Sequence, residues 1–138
     1  MSAPAGRLRW HRLWVALGAL IMAWTLWMAL RPDPDITLAV PEGDKILHAF
    51  TFTCLMGWWG NIYRRPRGRW GSALLCLGFG IFIEFAQWLD PPRDADVWDV
   101  VADSVGIVLA LVLLRTPLAR VLSEVERRWL GRKRSEAN

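Results

Sequence analysis

Cysteine is scarce in this chain: Cys54 and Cys76 are its only two, each well inside an apolar stretch. They lack metal-ligand spacing, and their depths differ by about one helical turn, so neither a zinc knuckle nor a disulfide framework is expected. Small buried thiols are the reading they support. Charge is also missing where a soluble protein needs it. Residues 13–30 carry none and leave no polar face, which excludes a water-soluble helical bundle. There is no H-E-x-x-H, no nucleophile elbow and no membrane-phosphatase signature, so no familiar hydrolytic motif announces itself.

More than half of the 138 residues are apolar, and ten are tryptophan. The apolar residues gather into four blocks, about 13–30, 46–63, 70–89 and 97–114. Each is about as long as a helix needs to be to cross ~30 Å of hydrocarbon. The expectation is an all-α, four-helix transmembrane bundle over residues 13–114. A basic tail, 1–12, precedes it, and a basic amphipathic tail, 115–138, follows. The first block is read as a retained anchor, because it has no convincing small-x-small cleavage site.

Acids are absent from the N-terminal tail (Arg7, Arg9, Arg12) and from the loop carrying Arg64, Arg65, Arg67 and Arg69. The loop with Arg31 and Lys45 is acidic on balance, through Asp33, Asp35, Glu42 and Asp44. The loop with Asp90, Asp94, Asp96 and Asp99 is acidic too, and the C-terminal tail is basic again. Lysine and arginine mark the cytoplasmic side, so both termini are expected inside, with the two acidic loops outward. The basic excess then needs no nucleic acid; topology and anionic membrane lipids account for it. After Pro117, the residues Leu118, Val121, Leu122, Val125 and Trp129 follow helical spacing. They point to a short amphipathic helix on the inner leaflet, with a straight continuation of the fourth helix as the alternative.

Trp10, Trp14, Trp58, Trp59, Tyr63 and Trp70 fall toward the inner interface, and Trp27, Trp88 and Trp98 toward the outer one, as anchor belts do. Ala102, Gly106 and Ala110 make a small-residue stripe suited to close helix packing. Gly57/Gly60 and Gly78/Gly80 are similar candidates.

Three polar runs share the outer side. Asp44, Lys45 and His48 open the second helix, Glu84 and Gln87 share a face near the end of the third, and Asp96, Asp99 and Asp103 lead into the fourth. Glu84 lies about five residues, roughly 7 Å, inside the end of its block. Pro91 and Pro92 stiffen the intervening turn and hold Arg93 above the group. Charges near hydrocarbon are kept by pairing or by function. One reading is a structural salt-bridge network without ligand. The other is a binding site formed by Asp44, Lys45, His48, Glu84, Gln87, Arg93, Asp96, Asp99 and Asp103. The acids outnumber the cations, and a divalent cation or a bound proton is one way to balance them. Glu84, Asp99 and Asp103 are the weak metal candidates.

The order D-K-x-x-H (Asp44, Lys45, His48), E-x-x-Q (Glu84, Gln87) and R-x-x-D-x-x-D-x-x-x-D-x-x-G (Arg93, Asp96, Asp99, Asp103, Gly106) resembles the VanZ-like family of small bacterial membrane proteins. The resemblance covers roughly residues 44–114. The family more usually has Asn at the position of Asp103; the swap keeps the shape and adds a titratable charge in place of a neutral amide donor. The resemblance implies a bacterial inner-membrane protein. The family is named for a member linked to resistance to teicoplanin, a lipid-bearing glycopeptide acting on cell-wall precursors outside the membrane. That link does not make this chain a resistance factor.

Three functions compete. In the first, the outer pocket engages an envelope or lipid-linked headgroup, Lys45 and Arg93 holding a phosphate or carboxylate while Glu84, Asp99 and Asp103 meet sugar, amine or metal. In the second, a hydrolase or transferase acts on such a substrate, His48 and Glu84 serving as general acid and base. The third is transport, for which four helices are few unless a homo-oligomer assembles, and for which the charges sit too far from the midplane.

Overall fold

The computed structural model describes residues 8–31, 43–89 and 96–135, with side chains as far as residue 129. Among these residues the chain is all helical. Four long helices, α1 (His11–Ala29), α2 (Gly43–Ile62), α3 (Pro66–Trp88) and α4 (Val97–Leu113), are followed by a 3-10 turn (Pro117–Arg120) and α5 (Val121–Ser135).

Local chemistry sets the boundaries. α3 starts ahead of its apolar block because Pro66 occupies the first helical position, where its missing N–H is no loss and its φ is already helical. Asp96 caps α4, its carboxylate accepting from the Trp98 N–H at 2.9 Å. α4 stops before Thr116 and Pro117, and the chain then turns by 83°. Thr116 Oγ1 accepts from Leu118 N–H, and Pro117 opens the new turn. α5 is thus a separate helix and not a continuation of α4.

α2 is the centre of the molecule, packed against α4, α3 and α1. Its closest neighbour is α4, and the small-residue stripe makes that contact: Ala102, Gly106 and Ala110 are all buried. A side chain on Gly106 would run into the Ala49 carbonyl and the Thr53 backbone nitrogen. Thr53 Oγ1 donates to the Gly106 carbonyl at 3.1 Å across this seam. Gly60 meets Leu114 and Gly80 meets Phe52 and the Asp103 carboxylate, whereas Gly57 and Gly78 face open space. Phe52, Leu55, Met56, Cys76 and Ile83 fill the middle.

The outer surface is apolar. Leu20, Trp24 and Trp27 on α1, Leu74, Ile81 and Phe85 on α3, and Val101, Val105 and Val112 on α4 all point outward. Such a surface suits hydrocarbon and not water. α1 and α3 are long and apolar enough to cross a membrane, and α4 with the bent segment after it makes a third candidate span. α2 is diluted by Asp44, Lys45, His48 and Asn61, which its central position tolerates, since neighbouring helices cover it.

Two expectations need correcting. Cys54 is exposed; only Cys76 is a buried thiol. Thr53 faces Gly106, and the next residue is turned by about 100° from it, out of the seam. The inner tryptophans are not all belt residues either. Trp14 and Trp59 are buried, and the Trp58 indole donates to the Trp14 carbonyl.

The reason lies in α5, where Glu126 is buried. It accepts from Arg9 N–H at 2.8 Å, Trp10 N–H at 2.9 Å and the Trp14 indole at 2.7 Å. One carboxylate therefore holds the two residues leading into α1, together with Trp14 in its first turn, and fastens α5 to them. Arg64 adds a second tie, its guanidinium donating to the Ala119 carbonyl and to Ser123 Oγ. The start of α1, the loop after α2 and α5 consequently come together at one end of α2. Leu122 turns inward beside Glu126, while Leu118, Val121, Val125 and Trp129 stay exposed.

Glu126→Ala is expected to release α5, leaving three donors without their acceptor at about 1–3 kcal/mol for each that stays buried. Faster hydrogen exchange confined to α5 and to residues 8–14 is the expected readout; uniform exchange with wild type would rule the clamp out. Burial pushes the Glu126 carboxyl up, but the three donated hydrogen bonds outweigh it and hold it below its ordinary range. A depressed folded value means the tie is at full strength above the ordinary glutamate range and fades only as acid reaches the lower folded value. α5 docking is therefore expected to be flat across neutral pH and lost only below the ordinary glutamate range.

Candidate functional site

The polar cluster lies at the end of α2 opposite α5. α2 contributes Asp44, Lys45 and His48 from its first turns, α3 contributes Glu84 from its last, and α4 contributes its cap Asp96 with Asp99 and Asp103.

Lys45 is the hub of the outer layer. Its ammonium lies 2.9 Å from Asp96, 3.2 Å from Asp44 and 3.6 Å from Asp99. The Lys45 ammonium, with the Trp98 N–H, holds the Asp96 carboxyl below the usual carboxylate range. Asp44 and Asp96 are well exposed, so this layer is open to solvent.

His48 is the hub of the inner layer. Its Nδ1 is 2.9 Å from Asp103 Oδ1 and its Nε2 is 3.6 Å from Asp99 Oδ2. Asp103 is 1% exposed and lies against Gly80, where any side chain would displace it. Glu84, 8% exposed, is anchored by one oxygen only: Oε2 accepts from the Asp96 N–H at 2.9 Å. Its Oε1 has no hydrogen-bond partner, and neither have Asp99 Oδ1 and Asp103 Oδ2. Asp99 Oδ1 is the oxygen ion-paired with Lys45 at 3.6 Å, which leaves Glu84 Oε1 and Asp103 Oδ2 as orphans; buried polar atoms are nearly always satisfied in native proteins, so these call for an explanation. They can accept from an ammonium or a hydroxyl, hold a proton, or coordinate a cation.

Not every sequence candidate joins the group. Gln87 donates to the Ala29 carbonyl at 3.1 Å and so ties α3 to the end of α1 instead of facing the acids. Arg93, with Pro91 and Pro92, lies outside the described residues. The metal candidates also regroup. Donor atoms of His48, Glu84 and Asp99 lie within 4.8 Å of one another, whereas Asp103 turns its bonded oxygen to His48. Glu126 carried a signal of its own, a lone acid four residues beyond Leu122 on the inward face of an amphipathic helix.

The VanZ/LLP1 family model matches residues 8–120. A fission yeast protein, from Schizosaccharomyces pombe and described as uncharacterised, is 37% identical over 79 residues, covering 55% of this chain and 49% of its own. The chain thus spans about half the length of that curated relative. No solved structure matches. With this match, the apolar helices identify a membrane protein.

Proposed function

The chain belongs to the VanZ/LLP1 family, and from that premise we propose that its polar cluster binds the headgroup of an envelope lipid or lipid-linked precursor at the outer face of a bacterial inner membrane. In this reading all four long helices span, both ends are cytoplasmic, and the exposed apolar residues of α5 rest on the inner leaflet. The alternation of basic and acidic loops supports that orientation. At 17 residues α4 is about 26 Å long, near the hydrocarbon thickness.

The observation that carries the reading is the layered cluster itself: a solvent-open layer around Lys45 above a buried layer with unsatisfied carboxylate oxygens. A salt-bridge network serving only the fold has no use for orphaned acceptors. Lys45 suits a phosphate or carboxylate, with Arg93 as the further cation that the sequence offers, and Asp99 and Glu84 suit the hydroxyls or amine of the same headgroup.

Native mass spectrometry of protein extracted gently from its own membrane tests this. A discrete lipid adduct is expected on the wild type and absent from Lys45→Met and from Arg93→Ala. Identical adduct-free spectra would return the cluster to a structural role. The adduct's mass also decides whether the headgroup belongs to a cell-wall precursor, the condition under which a link to teicoplanin susceptibility follows.

One observation favours an enzymatic alternative. Asp103 holding His48 Nδ1 leaves Nε2 able to accept a proton, as in a carboxylate-oriented general base. Turnover of the captured lipid that stops in His48→Ala while the adduct persists would choose this hydrolase or transferase reading.

A further inference from the structure

We propose that His48 Nε2, Glu84 Oε1 and an Asp99 carboxylate oxygen form a site for one divalent first-row transition ion, Zn2+ or Mn2+. The inference deepens the reading of the cluster as a ligand site, but it does not need that ligand to be a lipid.

Each donor is prepared by something else in the fold. Asp103 fixes the ring of His48 through Nδ1, which is how metal-bound histidines are oriented and made more basic. Asp103 cannot swing away easily, because Gly80 and Phe52 close in around it. Glu84 is held through Oε2 by the Asp96 N–H, so its unpartnered Oε1 is a buried donor with nothing to receive. Asp99 presents Oδ2 toward His48 Nε2 at 3.6 Å. Donors around a tetrahedral or octahedral ion with bonds near 2.1 Å stand about 3–3.5 Å apart. One donor atom each from His48, Glu84 and Asp99 lies within 4.8 Å of the other two, so modest side-chain rotation closes the shell.

The chemistry narrows the ion. One imidazole with two carboxylates favours Zn2+ or Mn2+ over Mg2+ and Ca2+, which prefer all-oxygen sets. The charge agrees, because two carboxylates beside an already paired Asp103 make a negative inner layer near hydrocarbon. The donors come from α2, α3 and α4, and the Gly106–Ala49 contact keeps α2 and α4 in close register. The solvent-open layer at Lys45 leaves coordination positions for water or an anionic headgroup.

The test is metal binding by the full chain, chelator-stripped and lipid-depleted in detergent, read by equilibrium dialysis with elemental analysis. About one Zn2+ or Mn2+ per chain is expected, with Mg2+ bound far more weakly. Glu84→Gln and His48→Gln should each weaken binding by about 100-fold or more, and Asp103→Asn by roughly 10–100-fold. Glu124→Gln, at the other end of the molecule, should leave it unchanged. Should Glu84→Gln fail to fold, Asp99→Asn, at a less deeply buried position, carries the same comparison. No stoichiometric binding by wild type, or wild-type affinity in His48→Gln and Asp99→Asn, overturns the proposal. Because lipid is removed beforehand, a negative result leaves the lipid-adduct experiment untouched, and the converse holds too.

Discussion

Gly106→Val is expected to abolish accumulation of folded protein, and Gly106→Ala to destabilise it by about 1–3 kcal/mol. The first added carbon would collide with the Ala49 carbonyl and the Thr53 nitrogen, all of it backbone on a neighbouring helix. A flexible side chain could rotate away; a helix backbone can only shift as a whole. Separating α2 from α4 would also stretch the Thr53 hydroxyl bond to the Gly106 carbonyl and part His48 from Asp103. Gly57→Ala and Gly78→Ala are the controls, because their added carbons meet nothing within 4 Å. Helix propensity predicts that these two are neutral or mildly stabilising. Detergent-resistant monodisperse yield and thermal unfolding of the four variants check the ranking. Equal behaviour of Gly106→Ala and Gly57→Ala would mean that the α2–α4 seam is looser than the contact describes.

What the sequence carried and what it hid follow one physical rule. Spacing along a helix fixes depth, but not the direction a side chain takes relative to helices elsewhere in the chain. Depth was legible: Lys45, His48, Glu84, Asp96, Asp99 and Asp103 meet at one end because each lies close to a terminus of its helix. The Ala102–Gly106–Ala110 stripe was legible because residues four apart share a face whatever lies opposite. Direction was not. Gln87 follows Glu84 by three residues and so stands about 60° around the helix from it, enough to reach α1 instead of α4. Trp14 sits at the depth of an interfacial anchor, yet it points inward to a carboxylate more than a hundred residues away. The same limit hid the regrouping of His48 with Glu84 and Asp99. Both oxygens of Asp103 look equally available in a sequence, and only packing against Gly80 commits them.

Asp103→Ala is expected to cost about 3 kcal/mol or more, since it removes one partner of a buried pair and strands His48. Asp103→Asn should cost far less, because the amide oxygen can still accept from Nδ1. The double variant His48→Leu/Asp103→Leu is the decisive one. Replacing a buried polar pair by apolar side chains of similar volume is often neutral or stabilising, so this variant should recover most or all of the loss. The coupling between the two sites would then be large, as contacting residues require. Thermal unfolding in one detergent, with equal membrane insertion confirmed beforehand, measures it. Stability and function should then separate. A cluster that exists for the fold keeps its native role in the double variant, which would be as stable as wild type or more so. A cluster that binds an ion or a headgroup loses that ligand completely in the same stable protein. The buried His48–Asp103 pair would in that case be a stability cost retained because a ligand needs it.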